Sequence, residues 1–207
     1  METDEEQVEK LKTWWKENGR SVIAGVVIGV GGLFGYRGWV DYQNRFAEEA
    51  SAHFEQMVQA LEAGDKEKVV GSADTLIEDY SSSEYAVMAR LGLARFHVEN
   101  GDFDKASEQL QQVVGSVDSQ PLGYVARKRL AAVQLQMSEP DKALNTLSTD
   151  FPAEFSASVE ELKGDILAQQ GKPAEAAEAY RKAQRGSPGP ANSEFLQQKL
   201  DDLGLTG

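Results

Sequence analysis

The 207-residue sequence contains no cysteine, two histidines and six prolines. Without cysteine the chain can have no disulfide, no thiol nucleophile and no Cys-ligated metal site. The lack of cysteine also suits an oxidising compartment. Basic residues are scarce as well, because 21 Lys and Arg stand against 34 Asp and Glu, which gives a net charge of −13. Such a charge repels phosphate backbones, so we expect no binding of nucleic acid.

The sequence also lacks the motifs of common catalytic sites. It has no Gly-rich phosphate loop followed by Lys-Ser/Thr, no G-x-S-x-G nucleophile elbow and no H-E-x-x-H zinc motif. His53 and His97 are far apart in the sequence, and we expect each to pack beside a turn rather than to act as a ligand or base. The carboxylates are spread along helix surfaces as solvated faces. We therefore expect a protein that is not an enzyme and that holds no metal and no cofactor.

One uncharged stretch is long enough to insert into a membrane. It is Ser21 to Tyr36, sixteen residues bounded by Arg20 and Arg37. At ~1.5 Å per residue a helix of this length covers about 24 Å, and the two arginines can snorkel to complete a hydrocarbon core of ~30 Å. We therefore expect one transmembrane span, residues 21–40, between an N-terminal segment, residues 1–20, and a soluble body, residues 41–207.

The basic residues predict the direction in which the span inserts. Four precede it, Lys10, Lys12, Lys16 and Arg20, whereas Arg37 and Arg45 are the only two in the first 25 residues after it. The positive-inside rule then keeps the N-terminus in the cytoplasm and translocates the body. A cleavable signal peptide has an equally short apolar core. The acidic start of the chain and the absence of an A-x-A-like site after the run favour an uncleaved signal anchor.

Both sides of the span carry aromatic residues. In the N-terminal segment Trp14 and Trp15 follow Val8 and Leu11 at helical spacing. This pattern is typical of an amphipathic helix on the membrane surface, with a disordered tail that ends in an anchoring Trp pair as the alternative. After the span, an aromatic belt is predicted from Tyr36, Trp39 and Tyr42.

The span itself is rich in glycine. Ser21, Gly25, Gly29 and Gly32 fall on one helical face, where small side chains let a second helix approach closely. Glycine weakens a helix that touches only lipid, so we expect this face to pack against another membrane helix.

After the span the sequence predicts helices to its end, because no run shows the two-residue alternation of a strand. Turns at Gly64, Gly101, Ser138 and Gly171 are separated by 37, 37 and 33 residues, and each joins two amphipathic helices. The first helices of the third and fourth units are expected to begin at about Val125 and Val159, and a final helix from about Asn192 would cap the array. A period near 34 is the signature of tetratricopeptide repeats. The expected fold is all-α, a single N-terminal transmembrane helix followed by a tetratricopeptide-repeat-like solenoid.

In the last unit several residues stand at the spacing of this repeat family: Gly164, Leu167, Gly171, Ala176, Tyr180, Ala183 and Pro188. The first unit departs from it with Val69 where a small alanine is usual. Lys163 occupies a position that is usually apolar. Because of these departures and the longer spacings, we expect irregular helix lengths or connections.

If the units stack, the first helix of each lines a groove. The residues predicted to face that groove are Phe54, Val58, Met88, Leu91, Arg95, Val125, Lys128, Leu135, Glu161 and Asp165. The residues of this set from the first units are mostly apolar, and those from the later units are mostly charged. This composition favours a hydrophobic segment or a partner helix as ligand. For Phe54, Leu91 and Leu135 the alternative is that they simply belong to the core.

The order of these segments, and stretches such as EEQVEKLKTWWKENG, resembles the YfgM family of ancillary subunits of the bacterial Sec translocon over essentially the whole chain. The resemblance implies a bacterial inner-membrane protein with a periplasmic body that joins the SecYEG translocon and the membrane-anchored chaperone PpiD. It further implies a role in passing translocating polypeptides to periplasmic chaperones and a link to the Rcs envelope-stress response. A membrane-tethered scaffold for envelope biogenesis or cell division would share the same features and stays as the alternative.

Overall fold

The computed structural model describes residues 4–117, 120–186 and 190–204. Within these ranges the chain forms nine helices and no strand, which confirms the all-α prediction. The helices are α1 (Asp4–Ala63), α2 (Lys66–Glu78), α3 (Glu84–Glu99), α4 (Phe103–Val117), α5 (Pro121–Gln136), α6 (Pro140–Thr146), α7 (Ala153–Gln169), α8 (Pro173–Gly186) and α9 (Pro190–Asp202). They belong to two compact parts, the N-terminal part Met1–Glu49 and the repeat body Ala50–Gly207.

The N-terminal part consists of helix α1 up to Glu49. The helix begins at Asp4 and continues without a break through the apolar stretch, so the segment before the span is helical rather than a disordered tail. Its apolar side chains face outward, with Ile28 74% and Phe34 67% exposed. Among the described residues α1 is the one helix whose length and composition would allow it to cross a membrane.

The repeat body consists of helical pairs followed by a single helix. The pairs are the end of α1 with α2, α3 with α4, α5 with α6, and α7 with α8, and α9 closes the array. Helices α5 and α7 begin four and six residues before the predicted Val125 and Val159, at Pro121 and Ala153. Helix α6 has only seven residues, whereas α2, α4 and α8 have 13 to 15, so the irregular helix lengths expected from the sequence are present.

The four turns inside the pairs share one backbone geometry. The turn residues Gly64, Gly101, Ser138 and Gly171 all have positive φ, between 61° and 80°. In each turn the next residue donates its N–H to the carbonyl five residues earlier, as in Asp102 to His97 at 2.8 Å and Glu139 to Gln134 at 2.9 Å. This is the Schellman ending of a helix, which favours glycine at the left-handed position. Ser138 adopts the same conformation with a side chain.

The core of the repeat body is divided into four clusters, and each joins one pair to its neighbour. The first holds Met57 and Leu76 with Leu93 of α3, and the second holds Leu110 of α4 with residues of α3 and α5. The third joins α5, α6 and α7, and the fourth joins α8 to Leu196 of α9. A helical pair cannot cover its apolar face alone, so stacking supplies the rest of the core. The predicted capping role of the last helix is confirmed.

Gly164 of α7 lies directly against the Tyr180 ring of α8. A Cβ atom added to Gly164 would lie 2.4 Å and 2.5 Å from two ring carbons of Tyr180. The Tyr180 ring is buried, and its hydroxyl donates a hydrogen bond of 2.8 Å to Asp165. Only glycine leaves room for this ring against the helix backbone, which explains the pairing of Gly and Tyr at repeat spacing in the last unit.

Candidate partner-binding surface of the repeat body

The apolar residues predicted to face the groove lie partly in the core. Leu91 is 8% exposed and belongs to the second cluster. Phe54 packs against the first cluster with its ring 5.6 Å from that of Tyr85, and Leu135 packs against the third. Leu91 therefore has little surface to offer a ligand, whereas Phe54 and Leu135 are half-buried. Met88, Val58 and Val125 are half-buried.

The charged residues of the predicted set have different surroundings. Arg95 is exposed and forms an ion pair with Glu99 at 2.7 Å, one helical turn further on. Lys128 is half-buried, and its Nζ atom donates to Ser158 Oγ of α7 at 3.2 Å. Lys128 therefore links the third unit to the fourth, and Arg95 is the predicted cation that remains at the surface.

Glu161 and Asp165 of the last unit are occupied by a cation from α9. Lys199 Nζ lies 2.8 Å from Glu161 Oε1 and 2.7 Å from Asp165 Oδ1. The same ammonium group lies 5.5 Å from the ring centre of Tyr180 and 4.8 Å from that of Phe195. One positive charge from the capping helix thus partly neutralises the acidic end of the predicted groove, a contact that no sequence pattern indicated.

This arrangement shifts two pKa values. Partial burial lowers the pKa of Lys199, but hydrogen bonds from its ammonium to Asp165 and Glu161, together with their negative charges, outweigh that effect, so the pKa lies above its usual 10.5. Burial and the hydrogen bond to Asp165 raise the pKa of the Tyr180 hydroxyl. Lys199 stays charged and Tyr180 stays protonated at neutral pH, so the network fastens α9 to α7.

A hollow lies between the second and third units, with the predicted groove residue Arg95 at its edge. We call it the notch; its volume is about 480 Å³. Five of its eight lining residues are apolar: Ala94, Val98, Leu110, Ala132 and Val133. They come from α3, α4 and α5, so the apolar wall forms only when the two units stack. Val98 is 38% exposed, which leaves apolar surface in water.

The rim of the notch is charged and contains Arg95, Glu99 and Arg129. Of the predicted groove residues only Arg95 lies there. Val98 and Glu99 are three and four residues after Arg95 on the same helix face, so helical spacing from Arg95 would have identified them. Arg129 had no comparable signal, because its place depends on the packing of α5 against α3.

Neither histidine is part of this surface. His97 is buried at the end of α3, with Nδ1 3.8 Å from Asp102 Oδ2, and its burial and the charge of Lys105 lower its pKa. His53 lies with its ring 5.5 Å from that of Tyr80. In the part of the chain that the structure describes, no three His, Cys, Asp or Glu side chains are grouped as a metal site would require. His97 lies beside the turn after α3, and Tyr80, the partner of His53, lies in the turn after α2, so each histidine packs beside a turn, as the sequence predicted.

The glycine face of the span is open. Cβ atoms added to Gly25, Gly29 or Gly32 would meet no atom within 4 Å, and Ser21 is exposed. A second helix could approach this face without a side chain in the way. The packing of the face against another membrane helix stays a prediction.

Comparison with solved structures shows the same architecture. PilF of Pseudomonas aeruginosa superposes with a TM-score of 0.61 at 20% identity, over 76% of this chain and 68% of that one. The Yersinia enterocolitica type III secretion chaperone SycD, solved with a peptide of the translocator YopD, gives a TM-score of 0.52 at 19% identity, over 59% of this chain and 95% of that one. At such identities the likeness concerns the fold.

Sequence relatives and a family model cover nearly the whole chain. The model of a tetratricopeptide repeat-like domain matches residues 12–205. The ancillary SecYEG translocon subunit of Escherichia coli strain K12 is 32% identical over 204 residues, 99% of this chain and 98% of that protein. The subunit of the same name from Haemophilus influenzae is 31% identical over 200 residues, 97% of both chains. The chain therefore belongs to the YfgM family of ancillary SecYEG translocon subunits, tetratricopeptide-repeat-like proteins whose fold serves protein interaction and not catalysis.

Proposed function

We propose that this protein is a membrane-anchored interaction subunit of the Sec translocon. Residues 21–40 span the inner membrane as an uncleaved signal anchor, residues 1–20 stay in the cytoplasm, and residues 41–207 lie in the periplasm. The observation that carries the proposal is the near-full-length likeness to the Escherichia coli ancillary SecYEG translocon subunit, which includes both the span and the repeat body. The excess of basic residues before the span supports the orientation.

The repeat body would then act on the side of the membrane where translocated chains emerge. We propose that it binds the chaperone PpiD and helps to transfer these polypeptides to periplasmic chaperones, with a role in regulating the Rcs response. A stacked helical array with a recess between units offers an extended surface for such contacts. The resemblance to the YfgM family supports the choice of PpiD as a partner and the link to the Rcs response.

Affinity isolation in mild detergent tests the association. The tagged protein should recover SecY and PpiD from the native membrane. A matched protein with the repeat body retained but residues 21–40 replaced by an unrelated Leu-rich span serves as control. Recovery of cell-wall enzymes in place of SecY would overturn the proposal and favour the scaffold alternative.

The absence of cysteine makes the orientation directly testable. Single cysteines at two exposed positions, Glu6→Cys before the span and Ser82→Cys in the body, can be treated with a maleimide that does not cross the inner membrane. Ser82→Cys should react in intact cells, whereas Glu6→Cys should react only after lysis. The reverse pattern would refute the proposed topology.

A further inference from the structure

We infer that the notch holds one large apolar side chain of an extended polypeptide and that Arg129 selects segments in which a carboxylate is adjacent to that side chain. The inference rests on the proposed function, because it names the kind of polypeptide that the repeat body would hold.

The apolar lining provides the first part of the recognition. Val98 of α3 and Ala132 of α5 are its solvent-accessible members, and the buried side chains of Ala94, Leu110 and Val133 form the floor beneath them. The space is about 480 Å³, which is within the range of pockets that bind small ligands. A large aliphatic or aromatic side chain placed there would leave water together with the exposed part of Val98. A small or charged side chain would gain little from the same position.

The charges at the rim provide the second part. Arg95 is already paired with Glu99 at 2.7 Å. Arg129 is exposed and has no ion-pair partner among residues 4–117, 120–186 and 190–204. A guanidinium presents two parallel donors to a carboxylate, which gives direction as well as attraction.

The charge of the whole body makes this cation selective. Residues 41–207 hold 28 acidic and 16 basic side chains, hence a net charge of −12. An acidic segment is repelled over most of such a surface. Among the described residues that line the notch, Arg129 is the cation outside the Arg95–Glu99 ion pair, so a carboxylate at the notch is favoured next to Arg129 and must be adjacent to the side chain that enters.

Peptide binding to the full-length protein in phosphatidylcholine nanodiscs tests the inference. Three fluorescein-labelled peptides of equal length are compared: Leu-Phe between two acidic residues, Leu-Phe between two lysines, and Ala-Ala between two acidic residues. At about 0.15 M salt the repulsion from distant carboxylates is screened, whereas the contact with Arg129 persists. Since an exposed ion pair contributes modestly, we expect the first to bind about fivefold more tightly than the second. The third should bind more weakly than the first because it leaves the notch unfilled. Equal affinities for the three peptides, or preference for the lysine-flanked one, would overturn the inference.

Two variants connect the preference to the notch. Arg129→Glu should abolish or reverse the preference for acidic flanks, whereas Arg181→Glu, the same charge change at an exposed site on α8, should leave it unchanged. Ala132→Leu should weaken binding of both Leu-Phe peptides by filling the notch, with Ala174→Leu at an exposed site as control. Unchanged binding by Arg129→Glu would contradict the inference even if Ala132→Leu failed to fold.

The same preparations separate the two proposals. If Arg129→Glu changes no affinity while the wild-type protein still recovers SecY, the notch inference fails and the proposed function stands. If the wild-type protein prefers acidic-flanked peptides but does not recover SecY, the proposed function fails and the notch is a peptide site of another pathway.

Discussion

Replacing Gly164 by alanine should destabilise the repeat body, although alanine is the better helix former. The added Cβ would lie 2.4 Å from a ring carbon of Tyr180, well inside van der Waals contact. The ring has little freedom to move, because it is buried and its hydroxyl is bonded to Asp165 at 2.8 Å. The helix must therefore shift or the ring must leave its position.

The magnitude follows from two opposing effects. Replacing glycine by alanine inside a helix is favourable by about 0.5–1 kcal/mol, and forcing a methyl group into a packed core costs about 1–3 kcal/mol. The close contact here puts the cost at the upper end, so we expect a net loss of about 2 kcal/mol. For a protein of this size that lowers the midpoint of thermal unfolding by roughly 4–8 °C.

Two other glycines provide matched controls for the same chemical change. A Cβ at Gly71 of α2 would meet no atom within 4 Å, so Gly71→Ala should raise the midpoint by about 1–4 °C. At Gly92 the nearest atom is the terminal methyl of Met57 at 2.8 Å, a flexible end that can move aside. Gly92→Ala should thus lie between the other two variants.

Circular dichroism melts at 222 nm of the full-length protein in detergent would measure the series. All three tryptophans precede the repeat body, so helical ellipticity reports on the body better than intrinsic fluorescence. If Gly164→Ala were as stable as Gly71→Ala, the close packing of α7 on the Tyr180 ring would be refuted as the reason for a glycine at this position.

Three more predictions follow from other features. Ser138→Gly should stabilise the body by about 0.5–1 kcal/mol, seen as a higher melting midpoint, because it removes a side chain from a left-handed turn position. Lys199→Met should cost about 1–2 kcal/mol in urea unfolding, a value reduced for the partial exposure of its carboxylate partners. Since the folded pKa of Lys199 lies above 10.5, the ion pairs are complete below that pH, and the difference from the wild type should shrink as pH rises through the folded pKa. Gly25→Leu with Gly29→Leu should preserve insertion but reduce recovery of membrane partners in pull-downs.

Each of these three has an outcome that contradicts it. A lower melting midpoint for Ser138→Gly would mean that the serine side chain stabilises its turn. A stability difference for Lys199→Met that does not change at alkaline pH would assign its effect to packing and not to charge. Unchanged recovery of membrane partners after the double leucine substitution would mean that the span anchors the protein and makes no contact with another membrane helix through its glycine face.

Features fixed by neighbouring residues were predictable from the sequence. Gly64, Gly101 and Gly171 mark helix ends because a left-handed turn favours glycine. The turn at Ser138 was predicted from the repeat spacing alone, since no glycine stands there. The starts of α5 and α7 were misplaced, although Pro121 at the first helical position and Pro152 just before α7 are signals that local reasoning can use.

Features that depend on distant contacts were not predictable. Lys199 meets Glu161 and Asp165 across 38 and 34 residues, and their helical spacing gave no sign that these acids would be neutralised. Arg129 becomes part of the notch only because α5 packs on α3, whereas Leu91, three residues from Met88 on the same helix, turns into the core. Periodicity identifies a face of a helix, but it does not say whether a neighbour covers that face.

The division of the core into four clusters has a consequence for hydrogen exchange. Each cluster is connected to the next through one shared helix, α3, α5 or α7, so opening at an end exposes one cluster and leaves the others paired. Amide protons should therefore exchange earliest in α9 and latest near α4 and α5. The second cluster, which supports the notch, is flanked by a cluster on each side, so fraying at either end would leave the shape of the notch intact.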